Sequence, residues 1–196
     1  MTIYLHKNDL PDDLAFGNSV AIDTETMGLN LARDRLCLVQ LSFGDGNAHL
    51  VQFSVGSDYA APNLRRLLSD PKILKIFHFG RFDIASIKAY MGVDCSPVYC
   101  TKIASRLVRT FTDRHSLKEL CRELLSVELS KQQQSSDWGA DTLSEEQKIY
   151  AANDVLYLHK LKEHLDPILE REGRMSLAQA CFDFLPARAE LDLAGW

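Results

Sequence analysis

Two apolar runs joined by a tight polar loop decide how this chain begins to fold: Leu36 to Phe43 leads through Gly44-Asp45-Gly46-Asn47 into Ala48 to Phe53. That pattern makes two antiparallel strands. A shorter apolar segment, Val20-Ala21-Ile22, follows the turn signal Gly17-Asn18 and runs straight into Asp23-Thr24-Glu25. The N-terminal third therefore reads as an antiparallel β-meander whose first strand ends in acid. Pro62 suits the first turn of a helix through Leu68, Ile73 to Phe79 reads as a strand, and a helix from about Phe82 to Met91 is closed by Gly92. Segments 101–108 and 116–125 read as helices, and residues 130–140 as polar loop. Overlapping capping boxes, Thr142-x-x-Glu145 and Ser144-x-x-Gln147, announce one long helix through Leu165, with Pro167 kinking or ending it. A meander followed by alternating strands and helices predicts an α/β domain with a mixed sheet and helices on its faces. Residues 1–196 are read as one domain, with 167–196 a helical C-terminal extension.

At 196 residues and 46% hydrophobic content the chain can bury a real core. A net charge of −5 argues against coating long nucleic acid, because such binding rests on many Lys and Arg contacts to phosphates. Short substrates in a local pocket escape this objection. No run nears the ~18 apolar residues of a membrane span and no apolar segment opens the chain, so the expectation is a soluble, cytoplasmic protein without a membrane partner. The five cysteines lack C-x-x-C spacing and are read as reduced, packed thiols; a zinc site from Cys95 and Cys100 lacks paired ligand spacing.

Carboxylates carry the chemistry. Residues two apart on a strand share a side, so Asp23 and Glu25 can project together, either into solvent from a loop or toward a cation. Asp83 opens a helix, where it would complement the dipole or join a site. Asp154 is harder to dismiss: Tyr150, Asp154, Tyr157, Leu158, Leu161 and Leu165 share one helical stripe, so an acid interrupts an apolar face with no matching base. Converging carboxylates repel by something like 4 kcal/mol per pair at ~4 Å and an effective dielectric of 20, which a shared cation relieves. Hard oxygen ligands select Mg²⁺, with Mn²⁺ able to substitute, and two ions would serve in-line displacement at a phosphodiester. Tyr150, with an ordinary pKa near 10, is a poor base and is expected to aim a water.

In this order the motifs resemble those of the DEDDy exonucleases, the RNase D-like branch of a superfamily with an RNase H-like fold: Asp23-Thr24-Glu25, then His78-Phe79-Gly80-Arg81-Phe82-Asp83, then Tyr150-Ala151-Ala152-Asn153-Asp154. The similarity extends to Ser116-Leu117-Lys118-Glu119-Leu120-Cys121 and Ser136-Asp137-Trp138. It implies a mixed five-stranded sheet with helices on both faces, a catalytic set of Asp23, Glu25, Asp83, Tyr150 and Asp154, and a nucleoside 5′-monophosphate product. It also implies that Asp23, Glu25 and Asp154 share one metal, that Asp23 reaches a second, and that Asp83 acts through water or an outer contact. RNase D often has Asn where Phe79 stands and carries further C-terminal helical domains, for which the residues after Pro167 are too few. The chain looks instead like the nano-RNase C type, which cleaves dinucleotides and very short RNAs.

Substrate contacts are expected from Thr24, Met27, Gly28, Leu29 and His78, with Leu29 the wedge between bases by resemblance; loop or core packing is the rival reading for several of them. Arg106, Arg109 and Arg114 are candidates to clamp a phosphate, or belong to a solvated face. The apolar tail (Cys181, Phe182, Phe184, Leu185, Leu191, Leu193, Trp196) packs on its own domain or in a homo-oligomer, a ring-shaped octamer by resemblance. RNase D-like trimming of longer RNA ends, a catalytically silent nucleic-acid-binding module and a phosphatase of the D-x-D-x-T type are the alternatives in function.

Overall fold

The computed structural model describes residues 1–130, 133 and 136–196. Among them run strands β1 (Ile3–Lys7), β2 (Ser19–Thr26), β3 (Leu36–Ser42), β4 (Ala48–Gln52), β5 (Leu74–Phe77) and β6 (Val98–Cys100). The helices are α1 (Pro62–Ser69), α2 (Arg81–Met91), α3 (Thr101–Val108), α4 (Leu117–Leu125), α5 (Glu145–Leu156), α6 (Leu158–Arg171) and α7 (Met175–Leu193). The sheet order is β1-β4-β3-β2-β5-β6. β2, β3 and β4 form the antiparallel meander, while β1 joins β4, β5 joins β2 and β6 joins β5, each in parallel.

The sheet thus has six strands, not five. The added strand, β1, lies at the edge with three of its five residues exposed, so its short Ile3-Tyr4-Leu5 run does not carry the mark of a buried strand. It is held by its ladder to β4 and by stacking of Tyr4 and His6 on His49, at ring distances of 4.9 and 5.3 Å. The central strand β3 is buried at every position, its polar Gln40 and Ser42 included.

The single helix expected to Leu165 is two helices that part at Tyr157 (φ −103, ψ −6). Each half answers to a different surface. α5 lies over β2, β3 and β4, with Leu38 and Leu50 beneath Trp138, Leu143 and Ala151, whereas α6 packs chiefly on α3 and α4. Pro167 does not end α6, which continues to Arg171. The carbonyl it leaves unpaired, on Glu163, is at the exposed face, and Leu161, Leu165 and Leu169 are buried on both sides of the proline.

The apolar tail forms α7, which lies against α2, with the Phe182 ring tilted against Tyr99 at 4.6 Å and Leu185 buried. Its outer face keeps Leu177 and Phe184 exposed, while Leu193 borders the groove beside Leu29 and Phe79, and Trp196, beyond the helix end, is exposed as well. All five cysteines are free, and no helix among the described residues is long and apolar enough to cross a membrane.

Candidate active site

β2 pairs with β3 as far as Thr26, but with β5 only through Ala21. From Ile22 onward the β5 side of the strand is open, because β5 ends at Phe77 and the chain turns through His78-Phe79-Gly80 into α2. A Cβ on Gly80 would strike the Phe77 ring, so the turn requires glycine. A crevice at the carboxyl ends of diverging strands is where ligands bind in open α/β sheets.

Asp23 and Glu25 project from β2 toward the face that α5 covers, and Asp154 descends from α5. One oxygen from each of the three lies within 4.8 Å of the others. Asp83, in the first turn of α2, stands outside that trio and is bound instead to Thr24, whose Oγ1 donates to Asp83 Oδ1 at 2.6 Å. Gln40 Nε2 donates to Asp23 Oδ2 at 3.3 Å.

All four carboxyls are pushed up. Burial is the largest cause for each; the charges of its acidic neighbours add to it for Asp23, which lies well above the usual range, and for Glu25, raised to about 9. Asp83 is raised to about 6 by burial against the opposing bond from Thr24, and Asp154 to about 7 against a bond donated by the Tyr150 hydroxyl. No Lys or Arg among the described residues offsets these charges. Clustered hard oxygen donors that repel one another when ionised fit a divalent cation of the Mg²⁺ type. Tyr150 packs its ring beside Trp138 at 6.0 Å, and burial together with the acids holds its phenol above the usual value, so it stays protonated.

These groups floor a cleft of about 460 Å³. Leu29 stands 85% exposed at its rim, and Phe79 lies across from it with a left-handed backbone (φ 66). Gly28 is fixed by the loop, since a Cβ there would meet the Asp34 carboxylate that accepts from Asn30 N at 2.9 Å. Met27 is exposed but does not line the cleft. Thr24 lines it, though its hydroxyl is engaged by Asp83. His78 reaches it as well; its Nδ1 is bonded to Thr101 Oγ1 at 2.8 Å, and burial, then Lys102, lowers its pKa to about 3, so the ring is neutral.

The three arginine candidates do not line the cleft. Arg109 is buried and committed to Glu123, to Arg114 O at 2.9 Å and to Ser105 Oγ at 3.4 Å, which corrects its reading as a phosphate clamp. Arg106 and Arg114 are exposed elsewhere. Among the described residues the cleft's cations are Lys102, whose Nζ sits 3.8 Å from the centre of the Phe79 ring, and Lys118. Lys102 shares a helical face with Arg106 and Arg109 in the sequence, but only the first turn of α3 reaches the cleft, so spacing alone does not tell which residue of that face arrives there. A groove of about 1090 Å³ continues past Leu29, Phe79 and Phe82.

Sheet, crevice and carboxylate cluster define a nuclease-type domain, and comparison with known proteins agrees. Residues 6–170 match the family model described as 3′-5′ exonuclease. Ribonuclease D of Gluconacetobacter diazotrophicus is 35% identical over 156 residues, covering 80% of this chain and 39% of the relative. The chain spans about two fifths of the length of such curated relatives. Among solved structures, Brucella melitensis NrnC bound to pGG is 59% identical with a TM-score of 0.95, covering 100% of this chain and 95% of that one. The same protein with bound Mg²⁺ is 58% identical at 0.94, with coverage of 100% and 96%. Escherichia coli RNase D, at 27% identity and 0.77, covers 88% of this chain and 45% of its own. The chain belongs to the 3′-5′ exonuclease family, on the RNase D-like branch that it shares with NrnC.

Proposed function

We propose that this protein is a two-metal-ion 3′-to-5′ exoribonuclease that releases nucleoside 5′-monophosphates from very short RNAs, dinucleotides above all. The observation that carries this reading is the trio Asp23, Glu25 and Asp154, with oxygens within 4.8 Å of one another at the floor of a small cleft. Asp23, Glu25 and Asp154 would hold Mg²⁺ or Mn²⁺, with Asp83 acting from outside the trio. When bound, such cations supply charge neutralisation at the scissile phosphate and lower the pKa of water. Tyr150, protonated and bonded to Asp154, orients the attacking water rather than deprotonating it. Leu29 separates the two bases, Phe79 and His78 bound the nucleotide, and Lys102 and Lys118 receive phosphate oxygens.

Structures of NrnC, the relative solved with pGG and with Mg²⁺, support both the substrate class and the metal. The groove beyond Phe79 favours one competing reading, trimming of longer RNA ends. A Mg²⁺ time course on 5′-labelled RNAs of about two to ten nucleotides separates them, since a small site contacts few residues. Preference for the shortest substrates supports the dinucleotide reading; equal rates at all lengths refute it, and no release from any substrate restores the silent binding module. We further propose a cytoplasmic homo-oligomer, a ring by resemblance, supported by the exposed Leu177 and Phe184 on the outer face of α7 and by Trp196 beyond its end; light scattering that returns only the monomer mass would refute the assembly.

A further inference from the structure

Beneath the acids lies an amide that the mechanism above does not use. Gln40 stands directly opposite Asp23 in the β2–β3 ladder and opposite Leu50 in the β3–β4 ladder, and it is fully buried. Its neighbours Leu38, Val39 and Leu41 are buried and apolar. Its Nε2 donates to Asp23 Oδ2 at 3.3 Å, whereas its Oε1 has no partner among the described residues. A buried carbonyl oxygen without a donor carries its full desolvation cost, which an apolar side chain in this strand would avoid. The amide is therefore a poor choice for packing, and its one engaged atom faces the acid cluster.

We infer that Gln40 is a positioning residue for Asp23: its amide donor pins one carboxylate oxygen and so presets the carboxylate for a divalent cation. This rests on the reading of the acids as a metal centre. A central strand cannot swing away, so the donor sits on a rigid base. Outer partners of metal ligands act in this way, and their loss weakens metal affinity by roughly 10- to 100-fold.

The test uses the whole protein, stripped of metal with EDTA and dialysed. Gln40→Met keeps the length and removes both the donor and the orphaned oxygen; Val39→Ala, one residue along the same strand, controls for destabilisation alone. Mn²⁺ affinity is measured by calorimetry, alongside the metal-free melting temperature and the Mg²⁺ dependence of RNA cleavage. For Gln40→Met the expected result is an unchanged or raised metal-free melting temperature, Mn²⁺ affinity weakened about ten-fold, and more Mg²⁺ needed for half-maximal rate. Turnover at saturating Mg²⁺ and KM for RNA return close to wild type. Val39→Ala melts earlier with unchanged Mn²⁺ affinity. Wild-type affinity in Gln40→Met, or equal weakening in Val39→Ala, overturns the positioning role while leaving the metal centre standing. A wild-type protein that binds no Mn²⁺ overturns both. Should Gln40→Met not fold, Gln40→Asn, which retracts the amide by one methylene, is read by the same criterion, and wild-type affinity there is equally fatal.

Discussion

Thr24 and Asp83 meet across the edge of the sheet, hydroxyl to carboxylate at 2.6 Å, and this bond ties the second acidic motif to the first. Without the hydroxyl the buried Asp83 carboxyl, already raised to about 6, rises further, because the Thr24 side-chain bond is the largest of the interactions that oppose its burial, ahead of backbone bonds at Asp83 and Thr24. Thr24→Val should therefore shift the acid limb of the pH–rate profile to higher pH and destabilise the fold by about 1 to 3 kcal/mol. A pH–rate profile and a urea melt check both; an unmoved acid limb would show that Asp83 does not govern it.

Metal removal should leave a protein whose stability falls with pH. The carboxyls of Asp23, Glu25, Asp83 and Asp154 have folded pKa values raised above their ordinary ones, so the stability they contribute is fully present below about pH 4 and is lost as pH rises through about 6, 7 and 9. In EDTA the melting temperature should drop across that window, and Mg²⁺ should flatten the drop. Asp23→Asn should melt higher than wild type in EDTA at neutral pH and cleave nothing.

The Tyr150 hydroxyl bonds Asp154 but stays protonated. Tyr150→Phe is expected to lower kcat about 10²-fold, at the low end of the contribution from groups that handle the attacking water, with Mn²⁺ affinity close to wild type. A calorimetric loss of metal binding would reassign the tyrosine to the metal centre.

Arg109 and the two lysines should separate stability from binding. Arg109→Ala removes a buried, charge-assisted bond to Glu123, but that partly exposed carboxylate keeps Arg122 at 3.3 Å and Arg114 at 4.0 Å, so the loss should be about 1.5 to 3 kcal/mol, below the range for an isolated buried pair. Lys102→Ala and Lys118→Ala should leave the melting temperature nearly unchanged and raise KM for RNA several-fold. Fluorescence melts with steady-state kinetics on a dinucleotide distinguish the two outcomes.

The meander, α1 to α4 and the capping box at Ser144 were readable because each has a local signal: continuous apolar runs, Pro62 at a helix start, Gly92 with φ 63 at a helix end, and the reciprocal bonds of Ser144 with Gln147. β1 was not, since a half-exposed edge strand is made by the strand it pairs with. The break at Tyr157 was also hidden, because the helical stripe runs unbroken through a point where the surfaces beneath it change. Asp23, Glu25 and Asp154, which the structure brings together, were ambiguous singly and stood out only as an ordered set of motifs, whereas Lys118 and Gln40 become neighbours of the cleft only through tertiary packing and strand register.

Phe79 holds a left-handed backbone conformation that costs a bulky residue about 1 to 2 kcal/mol and that asparagine adopts readily. Selection for stability alone would thus favour Asn at this position, while the aromatic face that flanks the cleft and seats Lys102 would be lost with it. On the proposed reading of the Phe79 ring as a wall of the nucleotide site, robustness and substrate fit pull against each other at this one position, where the backbone conformation favours one residue and the cleft another.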